Sequence, residues 1–264
     1  MEVRVFPNAT RPGTGLRPRR ESQRPLLPQH ARHCPVLEAG SAIGFMVYPP
    51  LNANESYVVE FQGEGRYQFT YYQSATAGKW EPMFAVGFSL PVGSVGMIRE
   101  DVTIIARTVE ISAEDAKVFA RAFFVPEDLG TPTGAVTLRG AWSFQTPAGW
   151  DTIYTSVFNN IERPVAPILV VRVETDWFPH DSEFRYVLAP GEAISGTHEL
   201  PIGQVFFVPR EEVTLRDCSE QEIATIRAAR AEFFREKATH RVKTPYGLQY
   251  SPHYQRQSRD RKGS

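Results

Sequence analysis

The stretch Val136-Thr-Leu-Arg-Gly140-Ala-Trp-Ser-Phe-Gln145 sets Val136, Leu138, Trp142 and Phe144 on even positions and mostly polar or small residues on odd ones. Side chains of a strand alternate between two faces, so this pattern predicts a strand with one face on a core and the other in water. Thr146-Pro-Ala-Gly149 then supplies a turn with Pro at its second position, and Trp150 opens the next run, which predicts a hairpin over 135–158. Outward from it, β-branched and aromatic runs recur between Gly, Pro and Asn: 45–48, 57–61, 67–72, 84–90, 102–108, 168–174, 184–188 and 205–208. This rhythm predicts a mainly β chain, an antiparallel β-sandwich or jelly-roll-like domain. Two capping signals interrupt it. Ser112 with Asp115 predicts a short inserted helix from Ala113 to Ala122, and Ser219 with Glu222 a C-terminal helix to about Ala238.

With 264 residues, 42% of them hydrophobic, the chain is long enough for one well-buried β domain. Its net charge of −1 hides a segregation. Residues 1–33 hold seven Arg against two acids, and residues 235–264 hold eight Lys and Arg against two acids, so the middle is acidic. The expected organisation is a basic Pro/Arg-rich extended arm over 1–33, a β-sandwich domain over 34–217, a helix over 218–240 and a basic aromatic tail over 241–264. There is no apolar run of membrane-spanning length and no apolar segment after the first basic residues, which favours a cytoplasmic protein without membrane contact, its Cys34 and Cys218 reduced.

The chemistry-bearing candidates gather around Val171-Arg-Val-Glu174-Thr-Asp176-Trp177. On a strand Glu174 and Asp176 share a face and Trp177 takes the other. Two neighbouring carboxylates serve acid/base catalysis when they titrate apart, or anchor a loop by accepting from backbone amides or an arginine. A cupin-like small-molecule or metal-assisted enzyme would add His180 and His198 to Glu174. His180-Asp181 and His198-Glu199 are each adjacent pairs that point apart on a strand, so the spacing indicates no metal and no cofactor. The basic ends offer Arg17, Arg19, Arg20, Arg24, Arg256 and Arg259 to acidic surfaces, and Tyr246, Tyr250 and Tyr254 add rings that would suit nucleic acid.

Several of these stretches carry a resemblance. His33-Cys-Pro-Val-Leu37, Gly44-Phe45, Tyr48-Pro49, Gln145-Thr-Pro-Ala-Gly-Trp150 and Val173-Glu-Thr-Asp-Trp177 resemble the uncharacterised family described as domain-of-unknown-function family 6065. The resemblance spans about 34–240 and is weak over 73–130. Phe45 stands where the family has Trp, and Gln145 where Arg is usual. It implies shared architecture and motif positions and no activity.

These readings favour a non-enzymatic binding or assembly protein, whose basic arms contact acidic surfaces of neighbouring subunits in a homo-oligomer or of other partners. The cupin-like enzyme and a nucleic-acid-associated protein are the alternatives.

Overall fold

The structure is a computed structural model that describes residues 1–20, 34–76, 79–90, 101–126, 132–159, 168–243, 247 and 249–262. Its elements begin with β1 (Arg4–Pro7), α1 (Pro35–Ser41), β2 (Phe45–Val47), β3 (Glu55–Gly63), β4 (Arg66–Thr76), β5 (Lys79–Ser89) and β6 (Asp101–Arg107). The inserted helix α2 (Ala113–Ala120) follows, then β7 (Phe124–Pro126), β8 (Ala135–Arg139), β9 (Trp142–Gln145), β10 (Trp150–Thr155), β11 (Ile168–Leu169) and β12 (Val171–Val173). The order closes with β13 (Glu183–Val187), β14 (Ala193–Thr197), β15 (Gly203–Pro209), α3 (Glu220–Thr239), β16 (Val242–Lys243), β17 (Gln249–Tyr250) and α4 (His253–Lys262). The fold is mainly β, sandwich-like and not a closed barrel, with an inserted helix and a C-terminal one as expected.

Three antiparallel sheets dominate, ordered β14-β3-β4-β5-β6, β12-β10-β15-β2 and β11-β13-β8-β7. In β3 the alternation is regular: Tyr57, Val59 and Phe61 are buried, while Val58, Glu60 and Gln62 are half-buried or exposed. Tyr67, Phe69 and Tyr71 of β4 and Phe84, Val86 and Phe88 of β5 join the same core, together with Phe123, Phe124, Leu138 and Phe184. Phe69 and Phe124 stack with centroids 5.4 Å apart, and aromatic area of this kind is the largest source of core stability.

Three expectations are corrected. The stretch 136–145 is two strands: β8 pairs with β13 and β7, and β9 pairs with β1. The break falls at Gly140, where a Cβ would lie 2.6 Å from Val47 Cγ1 and 2.9 Å from Ser182 Cβ. Because β8 is an inner strand, Thr137 on its odd face is buried as well, so no wet face exists there. The hairpin over 135–158 is absent too, since β10 pairs with β12 and β15. The turn does form, one residue later than read: Trp150 N donates to Pro147 O, and Gly149 takes φ 77° at the third position.

The third correction concerns the N-terminal arm, whose first twenty residues are part of the body. β1 adds a strand to β9. Asn8 is fully buried and donates to Gly140 O. Arg11 is paired with Glu55 at 2.8 Å, and the guanidinium groups of Arg17, Arg19 and Arg20 lie over the rings of Trp142, Tyr48 and Phe45 at 4.8, 5.1 and 5.0 Å. These three arginines stay exposed, but the rings beneath their guanidinium groups hold the Pro/Arg-rich segment to the body. Arg24 lies outside the described residues.

The chain divides into two compact units, Met1–Arg210 and Glu211–Ser264, so the boundary precedes the expected one at 217. Arg210 closes the first unit at the end of β15, and residues 211–219 form no helix or strand. In the second unit, Ser219 caps α3 in a reciprocal capping box with Glu222. No residue of α3 is buried. Phe233 meets His253 of α4 with ring centroids 5.0 Å apart, and β16 and β17 form a hairpin between the two helices.

Candidate functional site

The Glu174-Thr-Asp-Trp177 motif is a turn, not the end of a strand: β12 stops at Val173, and Phe178 N donates to Glu174 O. Its Thr175 is buried, and the hydroxyl lies 2.9 Å from that of Thr146 and 2.7 Å from that of Thr152. Asp176 reaches the other side of the same joint, where Gly149 N donates to its Oδ2 at 2.9 Å. The Gln145–Trp150 turn and the Glu-Thr-Asp-Trp turn, far apart in sequence, are thus stitched together by a hydroxyl cluster and a carboxylate.

Arg210 ties the joint to the sheet. Register sets Trp150 opposite Pro209, and Arg210 N donates to Gly149 O. Its guanidinium donates through Nε and Nη2 to Asp151 Oδ1 at 2.9 and 2.6 Å, and through Nη2 to Asp176 Oδ1 at 2.7 Å. Arg172 donates to the second oxygen of Asp151 at 2.6 Å. The Asp151 side chain is 1% exposed, and burial alone would push its carboxyl up; the two arginines outweigh this and hold it below the usual range. Arg210 and the Gly149 amide likewise lower Asp176, and Asp151 and Asp176 raise Arg210.

Glu174 accepts from Trp177 Nε1 and lies 3.6 Å from Arg210 Nη1. Trp177 therefore turns back onto Glu174 rather than to the opposite face, because these residues follow turn geometry. Its indole is 67% exposed and packs beside Phe178. His180 sits 3.7 Å from Glu183 and near the rings of Phe178 and Tyr154. His198 lies half-buried in the turn after β14. The histidines do not join Glu174 in a ligand set: among the described residues no three His, Cys, Asp or Glu side chains are grouped to hold a metal.

Sequence reading found Glu174 and Asp176 and missed their partner Arg210, and with it Asp151 and Arg172, which extend the network. Asp151 carries a signal of its own, as the one charge inside the strand run Trp150-Asp-Thr-Ile-Tyr-Thr155.

The C-terminal unit presents the other candidate surface. It holds eleven Lys and Arg against eight acids. Arg256 and Arg259 project three residues apart on α4, exposed and without an ion pair among the described residues. On α3, Arg230 and Lys237 flank the Phe234 ring at 5.7 and 5.8 Å. At the end of α3, Phe234, Lys237, Arg241, Gln249, Tyr250 and Ser251 line a cavity of about 370 Å³.

No protein-family model, curated protein or solved structure matches the chain. Among the described residues no helix is long and apolar enough to cross a membrane.

Proposed function

We propose that the protein is a non-enzymatic binding or assembly protein, in which the basic C-terminal unit of one copy contacts acidic surface on the Met1–Arg210 unit of a neighbouring copy. The observation that carries this reading is the different fate of charge in the two units. Asp151 and Asp176 are each matched to an arginine and held ionised, which suits an architectural clasp. An acid/base pair would need one carboxyl poised to carry a proton near neutral pH, and both of these are shifted the other way. Arg256 and Arg259 of α4 are exposed, and so are Glu110, Glu114 and Asp115 around the start of α2.

Exposed charges of opposite sign on different units attract over about 10 Å at 0.1 M salt, steer association, and lose that attraction as salt rises. The arginines over rings in the first twenty residues take the smaller part, and the C-terminal unit the larger. The resemblance of the two stitched turns to domain-of-unknown-function family 6065 supports a shared architecture. The test is the charge-reversed full chain Arg256→Glu/Arg259→Glu. The reading expects a smaller particle mass in light scattering at unchanged helicity; an unchanged oligomer would reject it.

A further inference from the structure

We propose that the cavity at the C-terminal end of α3 binds a nucleotide unit, with phosphate held by Lys237 and Arg241 and the base laid against Phe234 and Tyr250. At about 370 Å³ the cavity falls in the lower part of the range that small ligands occupy, roughly 300–1,000 Å³. Among the described residues its walls carry two cations and two aromatic rings and no carboxylate. The nearest acid in sequence, Glu236, does not line the cavity, and its Oε2 lies 3.1 Å from Nε2 of His253.

The parts are held in place by the surrounding elements. Arg241 Nη1 donates to Gln249 Oε1 at 3.2 Å, which ties the guanidinium to the hairpin. Tyr250, opposite Val242 in that hairpin, lines the same cavity. Along α3, Arg227, Arg230, Phe234 and Lys237 follow one another at spacings of three, four and three, so they form one stripe that leads to the cavity. The C-terminus of a helix carries a partial negative charge of about one half, which two full cations outweigh. Cations alone would suit any acidic group. Rings beside them suit a ligand that joins an anion to a flat π-face, which is the chemistry of a nucleotide, whether free or within a single strand.

The inference does not rest on the assembly reading, because it is read out as affinity for small probes and not as particle mass. The full chain is titrated by calorimetry with adenosine 5′-monophosphate, adenosine, inorganic phosphate, a ten-residue oligothymidylate and a ten-residue oligoglutamate. The proposal expects the monophosphate or the oligonucleotide to bind at least about tenfold more tightly than adenosine, phosphate or oligoglutamate. Lys237→Gln, Arg241→Gln and Tyr250→Leu should each weaken that binding about tenfold with an unchanged circular dichroism spectrum. Equal affinity for the two would identify free nucleotide as the source, and a much tighter oligonucleotide would identify single-stranded nucleic acid. Binding of neither, oligoglutamate as tight as the oligonucleotide, or folded variants that bind like the wild type would each overturn the assignment.

Discussion

Replacing Arg11 by methionine asks whether the first twenty residues belong to the body, as the structure has them. Arg11 Nη2 lies 2.8 and 3.1 Å from the two oxygens of Glu55, Nη1 donates to Pro50 O at 3.0 Å, and the guanidinium sits 5.1 Å from the Phe123 ring centroid. Methionine keeps an apolar stem over that ring and removes the charge. The Glu55 side chain is 6% exposed, and stranding a buried charge costs about 3–5 kcal/mol. The lower end applies, because Tyr71 Oη and Asn52 N still donate to the carboxylate, each at 2.6 Å. A loss of about 3 kcal/mol in a unit of this size lowers Tm by about 6–12 °C. Burial pushes the Glu55 carboxyl up, but Arg11, the Asn52 amide and Tyr71 outweigh it and hold it below 4.5. A lowered carboxyl adds stability that is present above its unfolded pKa and lost as pH falls through the folded one. The deficit of Arg11→Met is therefore full at pH 7 and narrows below about pH 4.5, and adding Glu55→Gln recovers part of it. Thermal melts followed by circular dichroism at both pH values decide the matter. A shift under about 2 °C at pH 7 would mean that the N-terminal residues are a solvated arm after all.

Asp151 and Asp176 are also held below their ordinary 3.8, so the clasp loses its contribution as pH falls beneath that value. Asp176→Asn should flatten the fall of Tm in acid while leaving the spectrum intact, and a slope unchanged from wild type would remove Asp176 from the clasp. Ser219→Ala should weaken the start of α3 by about 1 kcal/mol, seen as a loss of helical signal at 222 nm on warming before the β body melts.

Alternation was legible wherever one sheet face meets the core and the other meets solvent, as in β3. It misled at 136–145, because an inner strand is buried on both faces and a glycine let the backbone pass close to Val47 before the next strand changed partners. Helix caps were read correctly because a cap is local: Ser112 with Asp115 and Ser219 with Glu222 make their contacts within three residues. The carboxylates of the Glu-Thr-Asp-Trp turn were visible as residues. Their partner Arg210 was not, since it lies 34 positions from Asp176 and is brought there by strand register alone. Composition likewise marked the N-terminal segment as a free arm; Arg17, Arg19 and Arg20 are exposed, yet they lie over rings from β9, Tyr48 and β2 that are remote in sequence.

Particle mass as a function of salt tests the assembly reading most directly. In size-exclusion chromatography with multi-angle light scattering, the full chain should run as an oligomer at about 0.05 M salt. It should fall toward the 29.7 kDa of one chain near 1 M, where the screening length shrinks to about 3 Å. One mass at every salt concentration, whether monomer or oligomer, would contradict an assembly held by the basic C-terminal unit.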